Sequence, residues 1–210
     1  MITPLTKKYI NAWLYATIFM VISMIIIGGI TRLTDSGLSM VEWRPIWGFL
    51  PPTSDEEWKR VFSLYMNSPE YIFKNSGMSI TEFKEIFFWE YFHRLWGRLI
   101  GIVFIIPLII FYVFNKISYS ISFKLLIILF LGSLQAIIGW WMVKSGLVND
   151  PTVSQYRLAI HLSNALLILF LLVWTLLEFK NGHSKIKLDS SFLIFCFLFT
   201  TIIAGAFVAG

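Results

Sequence analysis

Apolar residues in this chain come in long unbroken runs. Five of them, roughly 10–30, 99–114, 125–143, 158–178 and 191–210, approach the length at which a helix crosses a bilayer. A hydrocarbon core about 30 Å thick needs roughly 20 helical residues to span it. Polar backbone cannot stay unpaired in lipid, so only helices or a closed barrel will do. The runs are continuous rather than alternating, which excludes the barrel. The pattern therefore predicts an all-α integral membrane protein: a four-helix transmembrane bundle plus the start of a fifth helix, with a long helical outer loop. Residues 1–180 form the four-helix half. Residues 181–210 form a loop and the first helix of an incomplete second half.

The segments between the runs carry their own pattern. In the long loop, about 31–98, Pro51-Pro52-Thr53-Ser54 reads as a turn and Asp55-Glu56-Glu57 as an acidic first helical turn. Trp58, Val61, Phe62 and Tyr65 then recur at helical spacing, predicting a short amphipathic helix on the membrane surface that ends at Pro69. Ser79-Ile80-Thr81-Glu82 has the form of a capping box. No breaker follows until Pro107, so one helix is predicted to run from the loop into the second membrane run. A short internal echo links Ile27-Gly28 and Ser36-Gly37-Leu38 to Ile138-Gly139 and Ser145-Gly146-Leu147. Each copy precedes a helix that brings in a histidine, as two related hairpins would.

Composition agrees with the pattern. Of 210 residues, 57% are hydrophobic and 14% charged, too apolar a mixture for a water-soluble surface. The net charge of +5 would suggest nucleic acid in a soluble protein. Here the basic residues cluster at the ends of apolar runs, so lipid is the expected partner and nucleic acid is not. Lys7/Lys8, Lys116/Lys124 and Lys180/Lys185/Lys187 share one side, which places the N-terminus in the cytoplasm and the long loop outside. The first run is too long for a signal-peptide core and reads as an uncleaved helix. One cysteine, Cys196, excludes an intramolecular disulfide and a cysteine-based metal site.

Three histidines are candidates for chemistry. His183 lies in Asn181-Gly182-His183-Ser184 and reads as a solvated turn residue. His93 and His161 begin the second and fourth runs, which cross in the same direction, so both enter from the outer face at similar depth. Ionisable groups at membrane depth face a cavity or a partner. Two histidines at one level on parallel helices can clamp a heme iron. Arg94, Arg98 and Arg157 surround them and would suit the two heme propionates. An interfacial belt of His and Arg that anchors helix ends has the same spacing, and the pattern alone leaves both readings open. Glu90, one turn before His93, could act as acid, base or nucleophile, or simply offset Arg94. Gly97, Gly101, Gly132 and Gly139 would allow close helix approach or make room for a flat ligand.

Longer motifs decide between these readings. Gly28-Gly29-Ile30-Thr31-Arg32-Leu33-Thr34 leads to Ser36-Gly37-Leu38-Ser39-Met40 and Glu42-Trp43-Arg44-Pro45. Gly48-Phe49-Leu50-Pro51-Pro52, Pro69-Glu70, Glu82-Phe83-Lys84, Glu90-x-x-His93-Arg94 and Gly97-Arg98 follow. Then come Gln135, Gly139-Trp140-Trp141-Met142-Val143, Ser145-Gly146-Leu147, and Tyr156-Arg157-Leu158-Ala159 before His161-Leu162. Over residues 28–164 the chain resembles heme A synthase, in its α-proteobacterial and mitochondrial branch.

The resemblance implies an inner-membrane enzyme that oxidises a porphyrin methyl group of heme O to a formyl group, giving heme A for cytochrome c oxidase. It implies two four-helix halves, heme O in the first and heme b in the second. His93 and His161 match the axial pair of the first half, and Glu90 a carboxylate implicated in the reaction. It also implies heme O synthase and cytochrome c oxidase assembly factors as partners, and leaves a homo-oligomer open. Two departures stand out. The chain stops where the family's fifth helix begins, so it is expected to lack the heme b site and to bind heme O without turning it over alone. The long loop also lacks a cysteine pair found in some bacterial relatives. Competing readings are a non-catalytic b-type cytochrome, which would not need Glu90, and a heme-delivery protein with labile heme and no product.

Overall fold

A computed structural model describes residues 3–43, 47–148, 150–182 and 190–209. His183, Lys185, Lys187, Arg44 and Pro45, which the sequence reading used, lie outside these residues. Seven α-helices are described: α1 (Pro4–Leu33), α2 (Asp55–Tyr65), α3 (Pro69–Phe73), α4 (Ile80–Val113), α5 (Tyr119–Gly146), α6 (Gln155–Asn181) and α7 (Ser190–Ala209). Five of them, α1 and α4 to α7, are long and apolar enough to cross a membrane. The protein is an all-α, multi-pass membrane protein.

Local chemistry sets the helix ends. Thr3 caps α1, with Pro4 at its first position. Ser54 caps α2 above three acidic residues that suit the helix dipole. Ser79 and Glu82 close the predicted capping box, and α4 then runs unbroken for 34 residues. At about 1.5 Å per residue this exceeds the hydrocarbon core, so the first turns of α4 project on the loop side.

Four helices form a ring in the order α4, α1, α6, α5. The seams α4–α1, α1–α6 and α6–α5 are closely packed, whereas α4 and α5 touch sparsely. On the side away from the loop, Ile10, Leu14, Leu108, Leu125 and Leu172 form a dry core. Indole groups stitch α1 to α4: Trp13 Nε1 donates to Val103 O at 2.9 Å and Trp96 Nε1 to Met20 O at 3.0 Å. Glu178, 7% exposed, pairs with Lys124 and ties α6 to α5 near the same end. α7 packs on α6, and Arg32 at the end of α1 donates to the carbonyl of Ala209.

The outer loop differs from expectation in one respect. The apolar stripe of α2 is covered by protein: Tyr65, Phe62 and Trp58 pack on Phe83 and Phe87 of α4. α4 projects far enough to offer these rings a partner, so α2 clamps the protruding turns instead of presenting its stripe to the membrane surface. Asp35 takes a left-handed conformation (φ 47°) and turns the chain back after α1, which buries Ser36 and Ser39 under the loop. Asp tolerates that region better than most residues.

Candidate functional site

The ring of helices brings His93 of α4 and His161 of α6 to the loop-side end of the bundle. Each packs against a glycine on a neighbouring helix. A Cβ built on Gly28 of α1 would stand 3.3 Å from His93 Nε2, and one on Gly139 of α5 would stand 3.0 Å from His161 Cε1. These are the first glycines of the two copies of the internal echo. The echo loops also meet: a Cβ on Gly146 would fall 2.6 Å from Leu38 Cδ1. The two hairpins therefore make equivalent histidine seats and touch through their exits. The glycines predicted to admit close approach divide unevenly. Gly97 faces Met24 of α1, whereas Gly101 and Gly132 have open space where a side chain would go.

Polar residues within α5 and α6 orient His161. Gln135 Nε2 donates to His161 O at 3.0 Å and lies 3.3 Å from its Nε2. Gln135 Oε1 accepts from Asn164 Nδ2 at 2.7 Å, and Asn164 also donates to Leu131 O at 3.1 Å. His161 Nδ1 is buried with no hydrogen-bond partner. A buried unsatisfied nitrogen is costly unless something binds it.

Glu90, 2% exposed, faces the outer loop. Its Oε2 accepts from Ser39 Oγ at 2.7 Å and from the Met40 amide at 2.6 Å. Its Oε1 accepts from Arg94 Nη2, which also donates to Met40 O at 3.2 Å. Two neutral donors and a guanidinium suit an ionised carboxylate. The return of the loop after α1 thus builds the Glu90 site, a contribution the helix spacing did not reveal. The motif Ser36-Gly37-Leu38-Ser39-Met40 was its one visible signal.

The three arginines ring the same end. Arg94 stacks over Trp43 (5.4 Å), Arg98 over Phe49 (5.3 Å) and Arg157 over Trp141 (4.5 Å), and Arg157 Nη1 donates to Trp141 O at 2.7 Å. Arg94 is engaged with Glu90, and so does not stand free beside the histidines. A cleft of about 170 Å³ opens between Met40, Trp43 and Arg94 on one side and Trp140, Lys144 and Leu147 on the other.

These residues fit a heme iron better than a bare metal ion. Among the described residues no group of three or more His, Cys, Asp or Glu could hold a metal. A porphyrin supplies four nitrogen ligands itself and needs only an axial pair. Two partly buried imidazoles at one level, one with an orphaned nitrogen, and glycines that clear space beside both, match that need.

Comparison with known proteins agrees with this chemistry. Residues 11–210 match the family model described as cytochrome oxidase assembly protein, COX15-CtaA. The heme A synthase of Parvibaculum lavamentivorans is 45% identical over 202 residues, covering 94% of this chain and 59% of the relative. That of Nitrosospira multiformis is 43% identical, covering 97% of this chain and 60% of the relative. That of Rhizobium meliloti is 48% identical over 172 residues, covering 82% and 47%. The chain thus spans about 60% of the length of the first two relatives. No solved structure matches.

Proposed function

The chain belongs to the cytochrome oxidase assembly protein family, COX15-CtaA, and from that premise we propose that it carries the heme O half of a heme A synthase. His93 and His161 would hold the heme iron. The substrate is heme O and the product heme A, destined for cytochrome c oxidase. A second half, corresponding to the relatives' additional length, would hold heme b. The bundle sits in the inner membrane with α1 starting on the cytoplasmic side and the outer loop in the periplasm. Heme O synthase and cytochrome c oxidase assembly factors are the partners that would hand on the substrate and product.

The observation that carries this reading is the seating of His93 and His161 on parallel helices, each against a helical glycine, beside the buried Glu90. When bound, the porphyrin iron supplies the redox chemistry. The chain's own residues bind and position. His93 of α4 and His161 of α6 would hold and orient the heme through its iron. Gln135 and Asn164 hold the orientation of His161. Arg98 and Arg157 stand at the loop-side end, where propionates would emerge toward the headgroups, with Arg94 shared between that role and Glu90. The α2 clamp packs on Phe83 and Phe87 in the projecting turns of α4, and Glu90 further along the helix is 2% exposed. Glu90, fixed by Ser39 and the Met40 amide, would hold negative charge or a proton for the reaction.

Purification in mild detergent from cells that make heme O, followed by extraction and mass identification of the bound heme, tests the reading. Heme O in the parent and none in His93→Ala or His161→Ala supports it. Heme b alone in the parent makes the chain an electron carrier. No heme, or heme retained by both variants, overturns the ligand assignment.

A further inference from the structure

The sparse seam of the helix ring, between α4 and α5, has cations at its loop-side mouth. Arg94 of α4 and Lys144 of α5 stand on opposite walls of the cleft of about 170 Å³. The rest of its lining is apolar or aromatic, and no carboxylate lines it among the described residues.

Two tryptophans hold these cations. Trp43 and Trp140 approach across the cleft, with ring centroids 6.3 Å apart. Arg94 lies over the first at 5.4 Å, and Lys144 Nζ lies 5.2 Å from the centre of the second. Side chains on a helix lean toward its N-terminus. Lys144 does so, reaching back one turn to Trp140, and this draws its ammonium from the end of α5 toward the level of Gly139 and His161.

Both cations keep capacity for an anion. Among the described residues no carboxylate pairs with Lys144. Glu90 is engaged by Ser39, Met40 and Arg94, Glu42 and Glu57 each meet Arg60 at 2.9 Å, and Glu70 accepts from the Tyr65 hydroxyl at 3.0 Å. Arg94 bonds Glu90 and Met40 O through Nη2. A guanidinium has five N–H donors. Among the described residues, those on Nη1 and Nε of Arg94 are therefore left for a further acceptor.

We propose that this cleft binds a carboxylate of the bound heme and that Lys144 is the residue that recognises it, from the second hairpin, opposite Arg94 of the first. This rests on the reading of the chain as a heme O-binding half. Heme carries short carboxylate arms on a flat apolar ring, which suits a cleft with cations on its walls and tryptophans along its lining. The other three seams of the ring are closely packed, so the α4–α5 seam is the side with room for such an arm. A carboxylate between Lys144 and Arg94 ties the two hairpins together and shares a guanidinium with Glu90.

Binding titrations on the heme-free chain in a non-ionic detergent, read by heme absorbance, test this with two probes. One is heme O and the other its dimethyl ester, whose carboxylates are masked. The parent should bind the ester at least about tenfold more weakly than the acid, the scale of a hydrogen bond to a charged group. Lys144 is exposed, so Lys144→Met removes its charge without opening the core. That variant should bind the acid about tenfold more weakly than the parent does and the ester equally well. Lys144→Arg should restore the preference for the acid. A Lys144→Met variant that weakens both probes alike, or neither, overturns the proposal. Added phosphatidylglycerol should leave the preference in place; a preference abolished by that lipid would assign the cleft to headgroups and overturn it as well. The heme reading fails separately: His93→Ala and His161→Ala should lose both probes, and a parent that binds neither probe sinks both readings.

Discussion

His161 lies against Gly139 so closely that a single added methyl group would stand 3.0 Å from its Cε1 atom. That distance is tighter than nine in ten real Cβ contacts, and the neighbour is an aromatic ring tied in place by Gln135 and the α6 backbone. Gly139→Ala should therefore turn the imidazole. Loss of ligand orientation typically costs roughly ten- to a hundredfold in metal affinity, and heme retention should fall by that order. Gly28→Ala, at 3.3 Å from His93, should do less. Gly101→Ala is the control: open space there means that it should only gain helix propensity, about 1 kcal/mol. Heme absorbance at fixed protein concentration, read for all three, separates the seats from general helix effects. Equal losses in all three would refute the seating argument.

The second contact between the hairpins can be tested without heme. Gly146→Ala drives a methyl group into Leu38 Cδ1 and against the Thr152 carbonyl, at 2.6 and 3.1 Å. Overpacking of this kind costs about 1–3 kcal/mol. Leu38→Ala combined with Gly146→Ala should recover part of it, because the leucine tip is the nearest obstacle. Thermal midpoints in detergent for the two single variants and the pair would give the coupling. Strict additivity would mean that the loops do not meet as described.

Helix order, the capped start of α4, the two histidines and their common side were all legible in the sequence, because periodicity, capping chemistry and run length are local signals. That His93 and His161 share one end of the bundle followed from helix direction, while their reading as a heme pair rested on the family resemblance. What stayed hidden depends on contacts far apart in the chain. Ser39 and Met40 reach Glu90 only because the loop folds back at Asp35, about 50 residues earlier. The stripe of α2 looked like a membrane-surface face because nothing local says that α4 projects far enough to cover it. Glu70 was visible only as part of a motif, since its burial depends on Tyr65 and the clamp.

Arg94 and Glu90 form a largely buried ion pair, with side chains 13% and 3% exposed. Removing one partner of such a pair leaves an uncompensated charge and costs about 3–5 kcal/mol. Arg94→Gln should therefore destabilise the chain more than Glu90→Gln, since the amide of the latter variant still accepts from Ser39 or Met40. Arg94→Gln combined with Glu90→Gln should regain most of the loss. Denaturation midpoints check this. If the double variant is no more stable than Arg94→Gln, the pair does not govern stability.

Glu70 gives the fold a pH dependence of definite sign. Its carboxyl is held at about 7, above the usual 4.5. The folded chain then binds more protons than the unfolded chain between those values, so stability falls as pH rises through that window. One pKa unit is worth 1.36 kcal/mol, which bounds the effect at about 3 kcal/mol. The contribution is fully present below about pH 4.5 and lost once pH exceeds about 7. Thermal midpoints of the parent should therefore decline across that range, and more steeply than those of Glu70→Gln, whose amide cannot ionise. Tyr65→Phe should move the decline to higher pH, because the lost hydroxyl favoured the anion. Parallel curves for the parent and Glu70→Gln would show that the carboxyl does not titrate in the fold. A decline moved to lower pH in Tyr65→Phe would show that the hydroxyl stabilises the protonated acid instead, reversing the assignment of donor and acceptor in the Tyr65–Glu70 bond.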